Sequence, residues 1–462
     1  MENKMIINEA YINDLLDSTQ NPTLEDIRQV LAKAGKKQTL THRDIALLLQ
    51  TEDPQVMAEV FRIASQIKHD IYGNRIVIFA PLYLSSYCVN NCRYCGYKVT
   101  NQMPRRKLTR AEIQEEVRLL ERMGHKRLAL EAGEDPVNCD MDYLVEAIKA
   151  VYDTHSDNGA IRRVNVNIAS TTVENYRRLK DAGIGTYILF QETYHKPTYE
   201  AMHLGGPKRD YNYHLTAFNR AMEAGLDDVG AGVLFGLYDY KFEVLALMLH
   251  NSYLEETHGV GFHTISVPRI KPAKGMDLAE FPHLVSDDQF RKIVAILRLA
   301  VPFTGIILST RESHAMRREV IEYGVSQISA GSCTGVGGYK ESDARKEESQ
   351  FEVADDRKPM DVLKELILEG HIPSYCTACY RTGRTGDRFM SLAKSGEIHN
   401  VCQPNALMTL LEYALDYGDA EFRSAVDALV EQEMDRVTRP AIREKLVENL
   451  DKIRQGQRDL FF

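Results

Sequence analysis

Along the first 75 residues, apolar positions recur at helical spacing. Thr23-x-x-Asp26 and Thr41-x-x-Asp44 are helix starts, with an acid placed to meet the helix N-terminus. Asp53-Pro54 marks a turn before a further helix over about 55 to 69. From residue 76 short apolar, β-branched segments alternate with helical stretches. The pattern predicts strands at Ile76–Ser85, Arg127–Gly133, Arg162–Ala169, Thr186–Thr193, Asp228–Gly236, His263–Ile270, Gly305–Arg311 and Gln327–Gly331. Thr109-x-x-Glu112, Thr171-x-x-Glu174 and Ser286-x-x-Gln289 open helices between them, and Gly124, Gly183, Gly225 and Gly324 close several. Eight successive β-then-α units predict a complete (β/α)8 barrel, with an open doubly wound sheet as the alternative. Residues 340 to 358 are dense in charge and read as a solvated linker or exposed loop. Beyond Pro404 the pattern is helical to the end. The expected domains are an N-terminal helical extension (1–75), the α/β barrel (76–340), a linker and helix (341–375) and a mostly helical C-terminal iron–sulfur domain (376–462).

Composition narrows the class. Hydrophobic residues make up 44% and charged residues 27%, as in a globular chain. A net charge of −9 argues against a nucleic-acid binder, and no apolar run approaches the ~20 residues of a membrane span. No secretory h-region opens the sequence, so the expected place is the cytoplasm. Eight cysteines fall in two groups of three plus two singletons, Cys139 and Cys333, which suits metal ligation better than a disulfide framework.

The first group, Cys88-x3-Cys92-x2-Cys95, lies after the first predicted strand, on the face where barrel enzymes build active sites. Three close thiolates can each take one iron of a [4Fe–4S] cube and leave the fourth iron open, whereas structural zinc wants four ligands. The second group is Cys376-x2-Cys379-x22-Cys402. Spacing alone leaves it open between a cluster and a Cys3His zinc site closed by His399 or His371.

With Tyr94 before its third cysteine, the first group resembles the signature of the radical S-adenosylmethionine (SAM) family. The resemblance implies that SAM binds the open iron of a [4Fe–4S] cluster, and that an electron from the cluster releases a 5′-deoxyadenosyl radical. Ala132-Gly133-Glu134 is similar to the family's Gly-Gly-Glu element. Gly232-Val-Leu-Phe-Gly236-Leu-Tyr-Asp239 is similar to its G-x-I-x-G-x-x-E element, with Asp for Glu. The resemblance nominates Tyr94, Tyr97, Glu134, Glu192, Arg209, Gly232 and Gly236 as cofactor-binding.

The segment from Ser374 to Cys402 resembles the auxiliary-cluster element of the tyrosine lyases that mature [FeFe]-hydrogenase. That implies cleavage of L-tyrosine at Cα–Cβ to p-cresol and dehydroglycine, then formation of CO and CN⁻. It implies an auxiliary [4Fe–4S] cluster carrying an extra iron bridged through L-cysteine, with His263 its histidine ligand and His258 the fallback. The partners implied are an electron donor such as ferredoxin or flavodoxin and other hydrogenase maturation proteins, in an anaerobic cytoplasm. Arg311, at the end of a strand, is the candidate grip for the tyrosine carboxylate, assisted by Ser309; the plain reading of Arg311 is a rim ion pair with Glu312. Asn165, Asn167, Gln191, Ser266 and Ser309 interrupt the apolar strands, which fits a passage through the barrel as well as hydrogen-bonded core groups. The alternatives kept are the thiamin-pathway tyrosine lyase, which lacks the second group, and a non-catalytic iron–sulfur or zinc scaffold.

Overall fold

The computed structural model describes residues 5–341 and 348–462. Four helices come first: Glu9–Ser18, Leu24–Gly35, His42–Gln50 and Pro54–Tyr72. Thr23 and Thr41 each form a reciprocal capping box with the aspartate three residues on, as their spacing predicts. These helices pack against Tyr240–His258 and Asp287–Ala300 on the outside of the barrel.

Eight parallel strands follow: β1 (Arg75–Ser85), β2 (Arg127–Ala132), β3 (Arg163–Asn167), β4 (Tyr187–Glu192), β5 (Val229–Val233), β6 (Thr264–Ser266), β7 (Gly305–Leu308) and β8 (Gln327–Ser329). Each pairs with the next, and β8 returns to β1 through Val77–Gln327, Ile78–Ile328 and Phe79–Ser329. The sheet is therefore a closed (β/α)8 barrel rather than an open doubly wound sheet. Alternation along β1 sorts its side chains. Ile78, Ala80 and Leu82 are fully buried, while Phe79, Pro81 and Tyr83 line the cavity at the barrel top.

Two segments read as connection carry structure. Within 341–375, Ile372–Ser374 forms a ninth strand, β9, parallel to the first residues of β1 on its β2 side. It leads the chain to Cys376 beneath the barrel. The helical C-terminal part is anchored there by His399–Tyr417, which packs on β9 and carries the last two helices, Ala420–Met434 and Pro440–Arg454. The charge-dense run is also not simply solvated. Residues 342–347 lie outside the described residues, but 348–358 crosses the barrel mouth as a strap. Its buried charge is neutralised locally: Asp355 pairs with Arg317 at 2.8 Å and with Arg357 at 2.7 Å. Its backbone is held where the Ala354 N–H donates to the Thr310 carbonyl at 2.9 Å.

Candidate active site

The loop after β1 brings Cys88, Cys92 and Cys95 to a cavity of about 210 Å³ at the barrel top. Neighbouring loops fix its path. The Val89 N–H donates to the Glu134 carbonyl at 2.8 Å, the Asn91 N–H to that of Gly205 at 3.0 Å, and the Gly96 N–H to that of Gln350 at 3.1 Å. These approaches need glycine. A Cβ at Gly133 would stand 2.3 Å from the Tyr87 carbonyl oxygen, and one at Gly206 2.2 Å from Asn90 Oδ1. The Tyr97 N–H points at Cys95 Sγ from 3.4 Å, and the Tyr97 hydroxyl donates to the Thr334 carbonyl at 3.0 Å. Burial raises all three thiols, Cys95 to about 11, so metal binding must displace their protons.

Charged side chains ring this triad. Asn90 Nδ2 donates to Glu134 Oε2 at 2.6 Å, and Asn90 Oδ1 accepts the Lys208 N–H at 3.0 Å. Lys208 Nζ lies 2.7 Å from Glu192 Oε1. Burial raises the Glu134 carboxyl. The Tyr94 hydroxyl meets His203 Nε2 at 2.8 Å, while His203 Nδ1 meets the Tyr199 carbonyl at 2.7 Å. Burial pulls His203 down to about 3, so it is neutral and accepts from Tyr94. The Tyr94 ring joins Met202, Leu234 and Ile270 in a small apolar cluster beside the cavity.

Deeper in the barrel, the Arg311 guanidinium lies 3.4 Å from the centre of the Phe351 ring, contributed by the strap. Arg311 forms no rim pair with Glu312: Arg269 Nε donates to that carboxylate at 3.0 Å, and Lys271 Nζ stands 3.6 Å away. Ser309, Asn167 and Ser266 face the same cavity. Asn165 instead accepts the Thr186 N–H at 3.0 Å, and Gln191 Nε2 is buried without a partner among the described residues. Glu131, inside the barrel and bonded to Asn167, is raised by burial to about 8.

Three nominated residues stand elsewhere. Arg209 is exposed and faces away from the cavity; its neighbour Lys208 takes the inward position. Gly232 makes room for the ring of Phe190, which does line the cavity. Gly236, at φ 114, packs on Ile270 in the turn leading to Asp239. Asp239 caps the helix Tyr240–His258, accepting the Lys241 and Phe242 N–H groups, so its carboxylate is committed to that helix.

At the opposite end of the barrel, Cys376, Cys379, Cys402 and His263 line a second cavity of about 100 Å³, with Arg75, Arg127, Arg384 and Tyr380. A hydrogen bond from Cys379, assisted by Arg75 and Arg384, lowers the Cys402 thiol against the effect of burial. Arg127 Nη2 donates to the Cys376 carbonyl at 2.9 Å. His263 precedes β6, edge-on to Phe389 at 4.6 Å, whereas His258 ends its helix away from this cavity. Neither proposed zinc ligand turns inward: His399 Nε2 meets the Asp70 carbonyl at 2.6 Å, and His371 Nε2 meets Glu322 Oε1 at 2.8 Å.

Both triads fit a cluster better than a single ion. Among the described residues, no three His, Cys, Asp or Glu side chains converge on one metal-ion point. A cube instead places each thiolate on a different iron, and its negative charge suits Lys208 above and the three arginines below.

Residues 82–249 match the Radical SAM superfamily model, and residues 266–372 match the Biotin and Thiamin Synthesis associated domain. The crystal structure of HydG, a maturase of the [FeFe]-hydrogenase, is 56% identical with a TM-score of 0.96, covering 99% of this chain and 100% of that one. The chain belongs to the HydG family of radical SAM proteins. HydG from Carboxydothermus hydrogenoformans is 38% identical with a TM-score of 0.82, covering 96% of this chain and 97% of its own. The 2-iminoacetate synthase of Escherichia coli (strain K12) is 30% identical over 350 residues, 76% of this chain and 90% of that protein. In this radical SAM chain, Lys208, Glu131, Gln350 and Phe351 also line the upper cavity, although no motif marks them. Glu131 alone left a signal, as an acid between the apolar residues of a predicted strand. No helix of the described residues is long and apolar enough to cross a membrane.

Proposed function

We propose that this protein is a radical SAM L-tyrosine lyase. It cleaves the Cα–Cβ bond at the upper site to give p-cresol and dehydroglycine. At the lower site it converts dehydroglycine to CO and CN⁻, delivered as an iron-bound synthon for the hydrogenase active site. The observation that carries this reading is one barrel with an incomplete cysteine triad at each end. The relative named for 2-iminoacetate, which is dehydroglycine, supports the first reaction.

Cys88, Cys92 and Cys95 would hold the SAM-binding [4Fe–4S] cluster, and Cys376, Cys379, Cys402 and His263 the auxiliary cluster with its extra iron and L-cysteine. Bound there, these groups supply reductive SAM cleavage, the hydrogen-abstracting radical and a site for diatomic ligands. The chain's own side chains do the rest. Glu134 and Asn90, hydrogen-bonded to each other, would hold the amino group of SAM, and the Lys208–Glu192 pair would meet its charged groups. Tyr94 and Leu234 form an apolar wall of the cavity that would suit the rings of SAM. Arg311, with Ser309, grips the tyrosine carboxylate. The strap carrying Gln350 and Phe351 roofs the cavity and keeps water from the reacting atoms. The reading includes an anaerobic cytoplasm, ferredoxin or flavodoxin as electron donor and hydrogenase maturation proteins as recipients, and the HydG relatives support the last of these.

The test is anaerobic reconstitution followed by incubation with L-tyrosine, SAM and dithionite. p-Cresol, CO and CN⁻ are expected. No p-cresol refutes the lyase; p-cresol without CO and CN⁻ points to the thiamin-pathway reaction. Zinc at the lower triad without SAM cleavage points to a scaffold.

A further inference from the structure

The reaction asks more of the upper cavity than Arg311 supplies. L-Tyrosine enters as a zwitterion. Its ammonium nitrogen carries three hydrogens, whereas the imine nitrogen of dehydroglycine carries one. One of the two that leave must go as a proton, because the positive charge goes with it. An ammonium enclosed here with no acid to meet it would be a buried unpaired charge, which is costly. Among the described residues, three carboxylates line the cavity: Glu131, Glu134 and Glu192. Two are engaged, Glu134 with Asn90 Nδ2 at 2.6 Å and Glu192 with Lys208 Nζ at 2.7 Å. Glu131 forms no ion pair among the described residues. It stands opposite Tyr83 of β1 and Asn167 of β3, in one layer of the barrel, and all three face the cavity. Asn167 hydrogen-bonds it, and Arg311 acts on it by charge. The two phenols that bear on it electrostatically are committed elsewhere: the Tyr83 hydroxyl donates to Gln350 Oε1 at 2.8 Å, and the Tyr97 hydroxyl to the Thr334 carbonyl at 3.0 Å. Burial makes the Glu131 carboxylate a far stronger base than a solvated one.

We propose that Glu131 receives the α-ammonium group of L-tyrosine and takes one proton from it, while Arg311 holds the carboxylate. In that step one N–H bond breaks and an O–H bond forms on Glu131. The substrate nitrogen keeps the electron pair as a neutral amine, and the acid becomes neutral. A guanidinium and a carboxylate set apart on one cavity meet both charged ends of an α-amino acid. A site built to bind an N–H rejects an analogue that lacks it, because its own buried polar group is then left unpaired. This inference rests on the lyase reading of the upper site.

The experiment measures equilibrium binding to the full-length protein, reconstituted with its clusters and SAM and kept unreduced so that no turnover occurs. The probes are L-tyrosine and 3-(4-hydroxyphenyl)propanoate, which lacks the amine. The parent should prefer L-tyrosine. Glu131→Gln should weaken L-tyrosine binding by about 10- to 100-fold, leave the amine-free acid and SAM unchanged, and so erase the preference. Glu131→Asp should keep part of it. After reduction, p-cresol formation at saturating L-tyrosine should fall by about 100-fold or more in Glu131→Gln. Parental preference for L-tyrosine in Glu131→Gln overturns the proposal. So does an equal loss of both probes, which marks a packing role. Weakened binding with a parental p-cresol rate at saturation overturns the proton transfer. A parent that binds L-tyrosine through its amine yet forms no p-cresol refutes the lyase reading and not the ammonium site.

Discussion

Lys208 Nζ lies 2.7 Å from Glu192 Oε1, both side chains largely enclosed by the upper cavity. Glu192 has φ 67, a left-handed conformation that costs a non-glycine residue about 1–2 kcal/mol. Burial opposes the charge on Lys208, but Glu192 and the nearby thiols outweigh it and raise the amine above its ordinary value. Lys208→Met and Glu192→Gln each leave one buried charge unpartnered, at a cost of about 3–5 kcal/mol. The double variant should lose less than the sum of the singles, with a coupling of about 1–3 kcal/mol. Thermal midpoints of the four proteins measure it, and additive losses would mean that the pair does not act as one.

The two triads should separate by mutation. Cys92→Ser is expected to abolish SAM cleavage and every product. Cys379→Ser should retain p-cresol and lose CO, followed by haemoprotein trapping. Parental CO formation in Cys379→Ser would remove the lower site from the pathway.

Arg311 tests the substrate grip. A charge-assisted bond to a carboxylate contributes about 1.5–3 kcal/mol. Arg311→Met should therefore weaken tyrosine binding by roughly 10- to 100-fold, with the SAM site intact. Arg311→Lys should recover little, because the planar fork stacked on Phe351 has no counterpart in an ammonium. Unchanged tyrosine affinity in Arg311→Met would assign the carboxylate to another group.

Glu243 gives a pH signature. Its carboxylate accepts from the Thr193 hydroxyl and, at 2.9 Å, from the Tyr194 N–H. Burial still dominates and raises it to about 8. Above the ordinary carboxyl range, the folded chain keeps this proton while the unfolded chain has released it. Stability from this group is therefore full at low pH and declines as pH rises towards 8. Relative to the parent, Glu243→Gln should lack a decline of up to about 1.4 kcal/mol per pH unit between pH 6.5 and 8. Parallel stability–pH curves for the two proteins would refute it.

Much of this architecture is local in origin. Capping boxes, alternation and the count of eight strands specify the barrel, because each depends on residues a few positions apart. The triads are legible for the same reason: C-x3-C-x2-C confines three sulfurs to one loop whatever surrounds it. Strand ends also placed Arg311 towards the upper cavity and His263 towards the lower. Irregular segments were not legible. Lys208 and Arg209 are neighbours of like charge, and only the short turn Pro207–Arg209, docked on Asn90, decides which one turns inward. Gln350 and Phe351 sit in a stretch that looks solvated until Arg317 neutralises Asp355. Asp239 matches a motif, yet the helix it caps claims its oxygen. Local spacing is written in the chain, whereas the direction of a loop side chain is set by whichever distant backbone it packs against.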